Sequence, residues 1–186
     1  EIAATLAFSA MGNNDKIGLI LFAGEVEKVI PPKKGKKHVM RIIRTILEWE
    51  PKSTGTDVEK AIEHLLKLQK RHSNVFLLSD FMDAAVDRNF RIAAKRYDLC
   101  AINTFDRKEI VLPKVGLVPV SDSESGTIQW VNTSSKSFRK RLEERHQKDQ
   151  EQLALITKRS GAGYIRLEKD QDFVPPLLNY LKTKGK

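Results

Sequence analysis

A doubly wound, mostly parallel α/β sheet with helices on both faces is the fold class this sequence predicts. Three observations carry that expectation. The runs Ile17–Phe22, Val75–Ser79 and Leu99–Thr104 are short and continuously apolar, as in strands buried on both faces. Segments with apolar residues at helical spacing alternate with them. The second run stops at Ser79-Asp80, which puts a carboxylate where a parallel strand emerges, the edge at which open α/β sheets bind ligands.

The elements follow in order. Glu1 to Met11 reads as a helix apolar on nearly every side, a helix to be buried on a sheet. Gly12 suits the position just past its end and Asn13-Asn14-Asp15 a turn. It has no N-cap, so the chain is expected to continue upstream. Ile17–Phe22 is the first buried strand, and Val26 to Ile30 a more polar edge strand ended by Pro31-Pro32. Val39, Ile42, Ile43, Ile46 and Leu47 recur as one helix face, and Val58, Ala61, Ile62, Leu65 and Leu66 as another. After Val75–Ser79 come a helix around Asp87–Arg96 and the strand Leu99–Thr104. The order α-β-β-α-α-β-α-β predicts a parallel sheet.

The pattern then changes. Val115–Val120 and Thr127–Val131 flank Ser121 to Gly126 and predict a hairpin. A charged helix follows from about Ser135 to Arg159. Its middle, Glu143 to Glu151, is polar throughout and reads as a solvated stretch projecting past the sheet. Tyr164–Leu167 is the last strand, and Phe173–Leu181 a closing helix with Pro175-Pro176 in its first turn. All 186 residues read as one domain, with the hairpin and long helix an insertion over about 113–160.

Composition, 40% hydrophobic and 31% charged, is that of an ordinary globular protein. A net charge of +9 permits acidic partners, but the cations are spread along the chain. Lys33 to Lys37 and Arg139 to Arg141 are the densest stretches. No aromatic residues interleave with them as single-strand binding requires, so a solvated loop is the favoured reading there. Cys100, the lone cysteine, excludes an internal disulfide and reads as a small core residue. That fits a reducing, cytoplasmic setting. His38, His64, His72 and His146 lack metal-ligand spacing and read as solvated surface. Trp49 and Trp130 read as partly buried anchors, with Trp130 the better candidate for an exposed contact.

The turn Ser53-Thr54-Gly55-Thr56-Asp57 opens a helix and would bring the Thr56 hydroxyl towards Asp80. A hydroxyl and a carboxylate meeting there suit a hard cation such as magnesium. A plainer reading stands beside each. Thr56 and Glu59 have capping-box spacing, and Asp80 could cap the next turn, with Asp83 a surface or capping residue. Enzyme signatures are missing: there is no Gly-x-Ser-x-Gly elbow, no Walker loop, and Ser160 to Gly163 is too short for a dinucleotide fingerprint.

Several phrases together resemble one family. They are Ala7 to Ala10 followed by Asn14 to Phe22, then Ile30-Pro31-Pro32 to His38, Gly55-Thr56-Asp57, Phe76 to Phe81, and Asp106-Arg107-Lys108-Glu109 leading to Leu112-Pro113-Lys114-Val115-Gly116-Leu117. In order and spacing they are similar to the bacterial "domain of unknown function 58" family, a branch of the von Willebrand factor type A-like domains. The resemblance implies a doubly wound α/β fold and a non-enzymatic adaptor or chaperone component working with a MoxR-type AAA+ ATPase. Type A domains engage partners through a metal-ion-dependent adhesion site. Thr56 matches its second-loop Thr and Asp80 its third-loop Asp. The Asp-x-Ser-x-Ser of the first strand has no counterpart. It is expected just before Glu1 on a central strand, so this stretch would be N-terminally truncated and would hold Mg2+ weakly or not at all. Arg107 stands where the family's Asp-Pro-Arg-Glu has Pro, and Lys108 replaces its Arg. Two other readings stay open: a basic nucleic-acid-binding protein, and a metal-dependent hydrolase with Asp80 as a ligand.

Overall fold

The computed structural model describes residues 1–81, 88–107, 111–121 and 128–184. The elements run α1 (Ile2–Gly12), β1 (Ile17–Phe22), β2 (Val26–Lys33), α2 (Lys36–Glu48), α3 (Val58–Leu68), β3 (Asn74–Ser79), α4 (Arg88–Arg96), β4 (Asp98–Phe105), β5 (Leu117–Ser121), β6 (Ile128–Asn132), α5 (Lys136–Ser160), β7 (Gly163–Glu168) and α6 (Val174–Lys184). This is a mixed α/β fold, and every predicted element is present within a few residues of its expected bounds.

The strands do not form one continuous sheet. β3, β4 and β7 form a parallel sheet with β4 in the middle. β1 and β2 pair antiparallel in a separate two-stranded sheet, and β5 and β6 in a third. One edge of β1 and one edge of β3 therefore carry no ladder partner among the described residues. Helices span the two larger units. On one face Ile2 and Leu6 of α1 pack onto Cys100, Ile102, Ile165, Leu167 and Leu177, while α1 also packs on α2. On the other, α3 contacts β1, β2 and α4.

β4 explains its own continuous apolar run. Leu99 and Ala101 enter the core with Val58, Ile62, Leu77, Phe90 and Leu153, and Cys100 and Ile102 enter the opposite one. Alternate side chains go to opposite faces, so a strand buried on both must be apolar throughout. Cys100 is a core residue, as expected.

Several local expectations are corrected. Gly12 is the last helical residue rather than the residue past the end, and Asn14 takes the left-handed conformation at φ 54°. Pro31-Pro32 lie inside β2, which runs on to Lys33 opposite Ile17. β2 is an edge strand, where a missing N–H costs little. α1 is less buried than its composition suggests, with only Ala7 fully enclosed. The middle of α5 is not wholly solvated: His146 is half-buried against Phe105 at the end of β4, ring centroids 5.8 Å apart. His38 is half-buried too, its Nε2 2.8 Å from the Ile17 carbonyl oxygen.

Candidate functional site

The ends of β1 and β3 and the start of α3 lie at one rim. Val58 and Ile62 of α3 share a core with Leu77 of β3 and with Phe81 just past that strand. The turn before α3 is fastened to the β1–β2 hairpin. The Asp57 N–H donates to the Ala23 carbonyl oxygen at 2.9 Å. Lys52 and Ser53 N–H and the Ser53 hydroxyl all donate to Glu27 Oε1 at 2.8 Å, and Trp49 Nε1 donates to Glu27 Oε2 at 2.9 Å. The Ser53 N–H leads in holding the Glu27 carboxyl at about 2, with the Ser53 hydroxyl, the Lys52 N–H and the Trp49 indole acting the same way against the opposing cost of desolvation. Gly24 allows the close approach: a Cβ there would lie 2.3 Å from the Thr54 carbonyl oxygen. Gly55, at φ 78°, makes the turn itself, which a side chain would strain.

The capping reading of Thr56 is overturned. Asp57 caps α3, its Oδ1 accepting from the Lys60 N–H at 2.9 Å. Glu59 turns away to α4, accepting from Asn89 N–H at 3.0 Å and Phe90 N–H at 3.4 Å. Thr56 is half-buried, and among the described residues its hydroxyl has no hydrogen-bond partner. Thr56 thus sits one residue before the true cap.

Asp80 is exposed immediately after β3. Phe81 follows at φ 53°, a conformation that costs energy for a bulky residue. Burial of its ring in the α3–α4 core and its N–H donation to Ser79 Oγ at 3.0 Å hold it there. Strained backbone of this kind concentrates at functional sites. Asp83 lies outside the described residues. Thr56 precedes the first turn of α3 and Asp80 follows the end of β3, and Glu59 ties α3 to the start of α4.

Two donors fall short of the six that magnesium takes. Among the described residues no group of three or more His, Cys, Asp or Glu side chains could hold a metal ion. Thr56 and Asp80 on their own do not fit a resident cation.

Sequence reading missed a second grouping at this rim. Arg166 of β7 lies over Phe105, its guanidinium carbon 4.1 Å from the ring centroid, with His146 tilted against the same ring. Burial first, then the Arg166 charge, lower the pKa of His146, and Asp149 opposes them. No spacing signal links these residues, because they come from three elements.

Residues 1–152 match the family described as "Protein of unknown function DUF58". The chain belongs to the DUF58 family. It is 25% identical to the uncharacterized protein Rv1480 of Mycobacterium tuberculosis (strain ATCC 25618 / H37Rv), over 98% of this chain and 58% of that protein. It is 23% identical to the uncharacterized protein MAV169 of Mycobacterium avium, over 83% of this DUF58 chain and 93% of that one. The chain therefore spans 58% of the length of the first of these relatives. No solved structure matches it. No described helix is long and apolar enough to cross a membrane.

Proposed function

We propose that this DUF58 chain is a von Willebrand factor type A-like protein-interaction module, a non-enzymatic adaptor or chaperone component acting in the cytoplasm with a MoxR-type AAA+ ATPase. The observation that carries the reading is the exposed face of the β5–β6 hairpin. Leu117, Ile128 and Trp130 share one face of that ribbon and are 66%, 64% and 69% exposed. An apolar strand pair left in water marks a surface that another protein covers. The hairpin base is fixed, with Thr133 N–H and hydroxyl both donating to the Gly116 carbonyl oxygen, at 2.8 and 2.9 Å.

The rim supports the same reading. α5, 25 residues and so about 37 Å long, overshoots the six-residue β7 it packs on, which spans about 20 Å. With His146 at its middle packed on Phe105, its first half extends past the end of β4. In this reading the Thr56 hydroxyl and the Asp80 carboxylate make polar contacts while the hairpin supplies the apolar anchor. The unpaired edges of β1 and β3 are where the central strand of a type A domain would lie. The residues completing an adhesion site would come with that strand in the longer protein. Magnesium binding to residues 1–186 alone is then weak or absent. The partner's identity rests on fold-level analogy.

The test is binding of the full-length protein to a purified MoxR-type ATPase, followed by surface-immobilised titration with and without magnesium. Trp130→Ser, and separately Thr56→Val with Asp80→Asn, should each weaken binding by about tenfold or more. Wild-type binding that neither change affects would remove the reading.

A further inference from the structure

The run Asp106-Arg107 after β4 has no part in the Thr56–Asp80 rim, yet the fold gives it a definite place. Asp106 pairs with Lys169 at 3.0 Å, and the Lys169 N–H donates to the Phe105 carbonyl oxygen at 2.8 Å. These bonds tie the end of β4 to the end of β7. Arg107 closes the next turn, its carbonyl oxygen accepting from the Val111 N–H at 2.8 Å. Beside it, the ends of β4 and β7 and the middle of α5 line an open surface cavity of about 350 Å³ formed in part by Phe105, Arg107, His146, Gln147 and Arg166.

We propose that this cavity is a binding site for a small phosphate-bearing molecule, held by the guanidinium groups of Arg107 and Arg166. Its volume is in the range of small-ligand sites, and it lies at the carboxyl ends of parallel strands. The Arg166 guanidinium carbon sits 4.1 Å from the Phe105 ring centroid, a cation–π contact that holds the guanidinium beside the cavity. Neither Arg166 nor Arg107 has a carboxylate partner among the described residues. Among the described residues Glu168 is the one carboxylate in the lining, and Gln171 Nε2 donates to its Oε2 at 3.1 Å. The described lining thus sets two guanidiniums against one carboxylate. Paired guanidiniums favour a phosphate, whose oxygens accept two parallel N–H bonds from each fork. Gln147 also lines the cavity, its Nε2 donating to Glu151 Oε1 at 2.9 Å and keeping a second amide N–H. His146, also contacting Gln150 and facing Arg166 from across Phe105, is the neighbouring group whose charge state an incoming anion would change.

The site is independent of the partner reading. The experiment is NMR titration of the full-length protein, following the His146 imidazole signals with two probes, inorganic phosphate and phenyl phosphate. The expected result is a saturable shift, with the His146 titration midpoint raised in the bound state. Tighter binding of phenyl phosphate assigns a monoester with a planar group, and equal affinity assigns the phosphate ion itself. Arg166→Gln and Arg107→Gln should each weaken binding by about tenfold or more. Both side chains are exposed, so the circular dichroism spectrum should stay unchanged. Lys95→Gln, on α4, should bind as the wild type does. The proposal is overturned if neither probe saturates, if Arg166→Gln binds equally well, or if Lys95→Gln loses as much.

Discussion

Glu59, in the first turn of α3, accepts a hydrogen bond from the backbone N–H of Asn89 at the start of α4, 3.0 Å away. One helix thus caps another, because the first N–H groups of α4 have no acceptor within their own helix. Glu59→Ala should cost about 1–2 kcal/mol, by analogy with the loss of a side-chain cap. Urea unfolding measures it. Glu59→Gln, which keeps an acceptor oxygen, should recover part of the loss.

Asp57 and Thr56 should separate cleanly. Asp57→Ala removes the cap of α3 and should cost about 1 kcal/mol. Thr56→Ala removes a hydroxyl that holds nothing in the folded chain and should change stability by less than about 0.5 kcal/mol. Thermal unfolding of the two variants side by side decides it. A larger loss for Thr56→Ala would return the capping role to that residue.

Glu27 predicts an acid limb in the stability curve. Its folded pKa of about 2 lies below the ordinary 4.5, so the folded state binds the proton less readily than the unfolded chain. The contribution is full above about pH 4.5 and disappears as pH falls towards 2. Urea midpoints over that range should drop in the wild type, and the drop should be shallower in Glu27→Gln. An identical slope in both proteins would mean that Glu27 does not carry this contribution.

Asn103 of β4 is 3% exposed, and its Oδ1 has no hydrogen-bond partner among the described residues. Its Nδ2 donates to the Tyr164 hydroxyl at 3.4 Å, a long bond. An unsatisfied buried acceptor costs about 1–3 kcal/mol. Asn103→Leu, similar in size, should therefore be as stable as the wild type or more stable by about 1 kcal/mol. Calorimetry gives the comparison, and a clear loss would point to an ordered water on Oδ1.

The elements were legible in the chain because each is written in local terms. Leu99 to Ile102 must be apolar at every position if β4 is covered on both faces, and Val58, Ala61 and Ile62 recur as one helix stripe. Asp80 could be placed at a strand end for the same reason. Capping was less legible. Thr56–Glu59 has the spacing of a capping box, but Asp57 took the cap and Glu59 found the unsatisfied N–H groups of α4, 30 residues on. Spacing cannot rank two acceptors when one of the donors lies on another element.

By itself the sequence determined the strand and helix order, the buried Cys100 and the family, since all of these rest on residue type and short-range period. Only the tertiary structure decided that Trp130 stands 69% exposed, that β5 and β6 form a sheet of their own, and that Phe105, His146 and Arg166 meet. Such facts depend on which backbone edges reach each other and on how three distant segments pack. Those contacts are set by the summed burial of the whole chain and leave no mark in the spacing of the residues that make them.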